Sequence, residues 1–441
     1  MTDVSLSDLA AAAGAGPANG GTNEFVLLGL PDLHGQVRGK ALRPAAFEAA
    51  VRDGAVMTDL LLALDTTDTP ITDYEDFGIR SGAGDLIVRP DPSTLREITW
   101  RPGWRVCMAT PECWSDGRPC ELSSREVLRN ALDRMAELGY DTRSAFEYEV
   151  RLRDANDGPL SFGISYSVGE ISRFHAFITR LGPALEGLGV ELAAVHTEAG
   201  PGLLELNIAA RDGIRAADDA VYVKLAVKEV ASSMGLTASF LAKTVPGQEG
   251  SSGHVHLSCW RDGQNAFASD DAVFDGAVAG VLDHLPAASL MLNPTINSYK
   301  RLVPGWFAPV NVSWGVENRS CSVRVIRGDD RDRWRIECRR PGADANPYLA
   351  LAALLTAAAD GIRRGAKPPA PIVGDASARD DLPPLPGSLE SALAAFEADH
   401  ELRSALGESF CAYYAVSRAW ELKAWREAVS DWERERYGRA V

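Results

Sequence analysis

The chain has 441 residues, of which 46% are hydrophobic and 24% charged, the balance of a globular protein too long for one ordinary core. Its net charge of −16 argues against a nucleic-acid surface, its apolar runs are too short for a membrane span, and no secretory leader opens it, so a cytoplasmic protein is expected. Seven scattered cysteines without a CxxC pair argue for free thiols over a zinc site or a disulfide framework.

Residues 1–22 are Ala/Gly-rich with little periodicity and read as a mobile tail or a weak helix. Residues 25–30 form a strand, and the glycines at 35 and 39 predict a hairpin turn with a return strand. A short helix at 45–53, loops and strands over 60–90 and a strand within 100–111 complete a small mixed β domain, residues 23–120. Ser123 stands three residues before Glu126, a capping-box spacing, and opens an amphipathic helix that Gly139 stops. Strands at 143–152, 191–196, 203–208 and 254–260 then alternate with helices at 172–188 and 218–234. Helices at 345–364, 389–405 and 409–437 close an α+β catalytic domain, residues 121–441.

Several motifs carry chemistry. Glu147 and Glu149 lie two apart on a predicted strand and share a face, where apolar neighbours make two like charges costly without a cation. Glu198 and Glu205 flank a Gly-Pro-Gly turn that folds both toward one point. His254 and His256 follow the glycine-rich turn at Gly250, and Glu337 shares a strand face with Arg335 and Arg339. Five carboxylates with one or two imidazoles suit Mg²⁺ or Mn²⁺ rather than Zn²⁺. The arginine-rich loop from Asn293 to Arg324, with Arg301, Arg319 and Arg324, suits carboxylates and phosphates, and such a set suits phosphoryl transfer.

In order and spacing, ExE, EAGPGxxE, GSSGHVH, NPTINSYKRLVPG, NRSCSVR and RIECRRPGADANPYLA resemble the glutamine synthetase family over nearly the whole chain. The resemblance implies an N-terminal β-grasp domain and a catalytic domain built on a funnel-like antiparallel sheet flanked by helices. It implies homo-oligomeric rings, a dodecamer of two hexamers, with each site between neighbouring subunits. It also implies two or more Mg²⁺ (or Mn²⁺) ions per site and a reaction in which ATP phosphorylates L-glutamate before an amine displaces phosphate. By position, Glu149, Glu198 and Glu205 would hold one metal, and Glu147, His254 and Glu337 the other. His256, Ser258, Arg324 and Arg335 would contact ATP, Arg319 the transferring phosphoryl group, and Arg301, Arg339 and Gly250 the glutamate.

The departures concern the amine. Ammonia-using members read PGYEAP, whose Glu accepts the ammonium proton; this chain reads PGWFAP, with Phe307 in that place and Trp306 before it. Both aromatics offer apolar contact to carbon, and Trp306 offers a cation–π face. Asp65 is the nearest counterpart of the family's N-terminal ammonium-site Asp, and Glu249 replaces an Asn of the glutamate loop, where it would contact the substrate's amino group. The tyrosine motif that some bacterial members adenylylate is not visible near Asp381. The expected reaction therefore joins glutamate to a small amine such as ethanolamine, another alkylamine or a polyamine, for which Asp73, Glu75 and Asp76 offer acidic groups. An ammonia-using glutamine synthetase and a non-catalytic assembly protein are the alternatives.

Overall fold

The computed structural model describes residues 5–14 and 24–441. Most of the tail expected over 1–22 lies outside the described residues; within it, Ser5 caps a helix, Leu6–Ala12, that buries Leu6 and Leu9. Among the described residues, no helix is long and apolar enough to cross a membrane.

Two sheets organise the chain. The N-terminal sheet has the order Val37–Leu42, Phe25–Pro31, Trp104–Trp114, Asp85–Pro90, Ala55–Thr58, with Arg96–Glu97 added at Trp104–Trp114. The expected hairpin is present as an antiparallel pair, Phe25–Pro31 with Val37–Leu42, and Phe25–Pro31 runs parallel to Trp104–Trp114. The second sheet has the order Trp314–Val316, Val323–Ile326, Arg335–Cys338, Gly253–Arg261, Asp141–Arg153, Leu203–Ile208, Leu192–Thr197. It is antiparallel along this path except at its edge, where Trp314–Val316 runs parallel to its neighbour. The N-terminal and catalytic halves meet through hydroxyls: Tyr74 donates to the Tyr413 carbonyl and Tyr413 to that of Leu62.

The longest helix, Asp271–Leu292, has no counterpart among the elements expected from sequence. It is apolar on nearly every face, so it lacks the stripe that marks an amphipathic helix. It packs against Pro347–Arg364 at a distance only glycine permits: a Cβ on Gly280 would meet the Ala357 carbonyl, and one on Gly361 that of Gly276. The helix expected over 389–405 is two, Leu389–Ala398 and His400–Leu406, because Asp399 breaks the run and caps the second by accepting from the Leu402 amide. The expected final helix is likewise two, Glu408–Glu427 and Asp431–Tyr437.

A buried histidine ties these helices together. His284 Nδ1 lies 2.7 Å from Asp399 and its Nε2 3.2 Å from Asp360, which also holds Arg363 and Arg364, while Glu401 lies close to the ring. Burial by itself would lower the His284 pKa, but the two carboxylates outweigh it and raise the value. A raised folded-state pKa stabilises fully below the unfolded value near 6.5, and the contribution is lost as pH climbs through the folded value. Thermal melts should therefore show the wild type losing about 1–3 °C of Tm between roughly pH 6.5 and 9 that His284→Gln does not lose. Equal slopes for the two proteins would assign the pH dependence elsewhere.

Candidate active site

Strand register builds the site. His254 faces Glu147 across Gly253–Arg261 and Asp141–Arg153, and alternation puts His256 and Glu149 on that same face. To one side His256 pairs with Glu337, and Glu337 with Arg324. To the other, Glu149 pairs with Glu205, and Glu205 with His196. The turn after His196 returns Glu198 to the group, its backbone amide bonded to the Leu203 carbonyl. Six neighbouring strands thus present one continuous row of acidic, imidazole and guanidinium groups.

Two clusters emerge within that row. In the first, His256 Nε2 lies 3.1 Å from Glu147, and His254 Nδ1 lies 3.6 Å from Glu147 and 3.4 Å from Glu337. Glu337 is fully buried and receives Arg324 at 2.9 Å and also Arg339. In the second, His196 Nε2 lies 2.9 Å from Glu198 and 3.5 Å from Glu205, and Asn207 donates to Glu205. Half-buried Glu149 accepts from the Ser252 amide at 2.7 Å.

The clusters differ electrostatically. Burial would raise Glu147 and Glu337, but the neighbouring imidazoles, and Arg339 at Glu337, outweigh it: Glu147 falls far below the carboxylate range and Glu337 to about 2. Burial raises Glu149 to about 7, with Glu198 adding to it. Burial together with Glu149 and Glu147 raises Glu205 to about 8. The second cluster thus lacks the positive charge that would keep its carboxylates ionised, whereas the first has it.

Most of these groups open onto one cavity of about 670 Å³, which the fully buried Glu337 does not line. Of the expected site residues, it is lined by Glu147, Glu149, Glu198, Glu205, His254, Glu249, Gly250, Arg301, Trp306, Phe307, Arg319, Arg324 and Arg339. His256, Ser258 and Arg335 line a second cavity of about 500 Å³, which shares Glu147 and Asn207 with the first. Arg335 Nε stands 3.1 Å from His256 Nδ1, and Trp260 donates to Ser258. Arg301 is buried and donates to the Arg340 and Pro341 carbonyls, and a Cβ on Gly250 would press into its side chain.

Three expectations look different in the structure. Asp65 lies outside both cavities of its own chain, where its carboxylate accepts from the Thr67 and Thr69 amides and from Trp420. The cation–π face of Trp306 already holds Lys243, 4.2 Å from the ring centroid. Asp73, Glu75 and Asp76 are exposed and line neither cavity. Conversely, His196 joins the second cluster although its sequence position marks it only as the end of a predicted strand. Its two-residue spacing from Glu198 was the available signal. Tyr166, stacked on His196 at 4.2 Å with a left-handed φ of 53°, carried no such signal.

A sheet bearing acidic and imidazole clusters beside convergent arginines defines a phosphoryl-transferring ligase of the metal- and ATP-dependent kind. The glutamine synthetase catalytic-domain family matches residues 121–437, and the chain belongs to the glutamine synthetase family. It is 33% identical to a glutamate–isopropylamine ligase of a Pseudomonas species, over 94% of this chain and 95% of that one. It is also 33% identical to the γ-glutamylethanolamide synthetase GlnA4 of Streptomyces coelicolor, over 94% and 92%. A glutamine synthetase of Thermus thermophilus is 32% identical over 94% and 95%. Among solved structures, one described as "Apo GmaS without ligand" superposes with a TM-score of 0.84 at 28% identity, covering both chains completely.

Members of the family use divalent metals and ATP, and the side chains here fit such ions. His254 Nδ1 and His256 Nε2 are buried without a hydrogen bond, each within reach of a carboxylate. Glu149 and Glu205 are like charges directly opposed on neighbouring strands. A cation at each cluster would relieve the condition found there.

Proposed function

We propose that the chain joins L-glutamate to an amine other than ammonia. The reading rests on Phe307: an apolar ring, 61% exposed, lines the cavity where ammonia-using members keep a carboxylate. Arg301 and Arg339 hold the glutamate carboxylates, with Gly250 allowing the substrate close to the backbone. Glu249, with its pKa raised by burial and by Glu198, faces the substrate's amino group. His256, Ser258 and Arg335 hold ATP through the second cavity, and Arg324 reaches its phosphates from the first.

Glu149, Glu198 and Glu205 would hold one divalent ion, and Glu147, His254 and Glu337 another; such ions would supply positive charge to offset that of the phosphates. An oxygen of the glutamate γ-carboxylate attacks the γ-phosphorus, its bond to the ADP oxygen breaks, and Arg319 offsets the charge in passage. The neutral amine then attacks the γ-carbonyl carbon, the bond to the phosphate oxygen breaks, and the departing phosphate takes the proton that the nitrogen gives up. Asp65 takes part only if ring assembly carries it to a neighbour's cavity, and a dodecamer is the assembly proposed.

The similarity to the isopropylamine and ethanolamide enzymes supports an organic amine; the nearly equal similarity to glutamine synthetases keeps ammonia as the second reading. Phosphate release across an amine panel, with mass analysis of the γ-glutamyl product, decides between them, and ammonia as the best substrate would reject the proposal. Phe307→Glu should lower the apparent KM for ammonia by about three- to tenfold, a modest gain because an exposed carboxylate is screened. An unchanged ammonia KM would show that the amine site is built from other residues.

A further inference from the structure

Beside the catalytic cavity lies a second chamber of about 660 Å³, and the two share Phe307, Ala308 and Arg319. Its far walls are Val316, Pro371, Ile372 and Val373, apolar residues of which Val316 is 47% and Val373 92% exposed.

The chamber is a built one. Asn318 donates to the Ile372 and Gly374 carbonyls at 3.1 and 2.8 Å, the Ala376 amide donates to Ser320 at 2.8 Å, and the Ile372 amide to the Trp314 carbonyl at 2.8 Å. These bonds stitch the 369–377 segment to the loop that carries Arg319. Phe307 sits at the junction with a left-handed φ of 51°, a conformation that costs energy for a bulky residue and is held by its surroundings.

The lining charges narrow the ligand. Glu317 is paired with Arg324 at 2.5 Å, and Asp375 accepts from the Ser377 amide and hydroxyl. Arg319 adds a positive charge at the entrance. A diammonium would bring a second cation to a chamber whose carboxylates are engaged and whose mouth is cationic; an alkyl chain would lie along the apolar side formed by Val316, Pro371, Ile372 and Val373.

Resting on the proposed amine ligation, we infer that this chamber takes the alkyl group of a hydrophobic primary monoamine. Its nitrogen stays in the catalytic cavity and its carbons pass Phe307 toward Val316 and Val373. The chamber, rather than the catalytic row, then sets amine size.

The test compares kcat/KM for methylamine, isopropylamine, n-butylamine and putrescine in the wild type, Val373→Trp and Val316→Phe. In the wild type n-butylamine should exceed both methylamine and putrescine. Each filling substitution should cut n-butylamine at least about tenfold while leaving methylamine within about twofold. Methylamine turnover also reports that the variants fold, and both positions are exposed enough to accept larger side chains. A uniform fall, no change in the n-butylamine to methylamine ratio, or a preference for putrescine would overturn the inference while leaving amine ligation intact. Turnover of ammonia alone by the wild type would instead overturn the amine reading and this one with it.

Discussion

Replacing Arg319 by alanine is expected to lower kcat by about 10³-fold or more, the scale on which a phosphate-facing arginine acts in phosphoryl transfer. Arg319 is exposed at the cavity wall rather than embedded in the sheet, so the fold should not change and Tm should stay within about 1 °C. Arg319→Lys should recover little, because an ammonium cannot reproduce a planar, forked donor. ATP- and glutamate-dependent phosphate release in the presence of amine measures the effect. A loss below about tenfold would remove Arg319 from the chemistry.

Glu337→Gln should have a mixed outcome. The carboxylate has no exposed surface and neutralises Arg324 and Arg339 while facing His254 and His256. Neutralising it leaves two guanidiniums without their shared anion, a change that costs about 3–5 kcal/mol when a buried pair is broken outright. Glutamine keeps the shape and some hydrogen bonding, so a smaller loss, seen as a Tm lower by several degrees, is expected. Metal-dependent nucleotide binding should weaken by at least about 100-fold, since even the outer partners of metal ligands cost 10–100-fold when removed. Titration of nucleotide with and without Mg²⁺ separates the effects: a lower Tm with unchanged binding would make Glu337 purely structural.

The fold class and the local sharing of strand faces were legible in the sequence; individual elements and cross-strand partners were less so. Period two on a strand is enough to place Glu147 with Glu149 and His254 with His256, and the structure keeps both pairs on one face. The partnership of His256 with Glu337, or Glu149 with Glu205, could not be read locally, because the register joins strands tens of residues apart. The helix Asp271–Leu292 escaped for the opposite reason: buried all round, it has no polar face to betray its period. The split at Asp399 was written in a capping residue, but a long apolar pattern on both sides masked it. At Trp306 the residue type suggested a ligand face, and only the fold shows Lys243 over it.

The row of side chains across six strands also bears on how this protein can change. Moving any one of those strands by a single residue would turn its charged groups to the other face, so the catalytic set can only be inherited whole. No such constraint binds the turn around Phe307 or the segment near Val373, which hang outside the ladder. On the proposed amine ligation, new substrates would be reached by exchanges in those two stretches, one side chain at a time, while the reaction stayed the same.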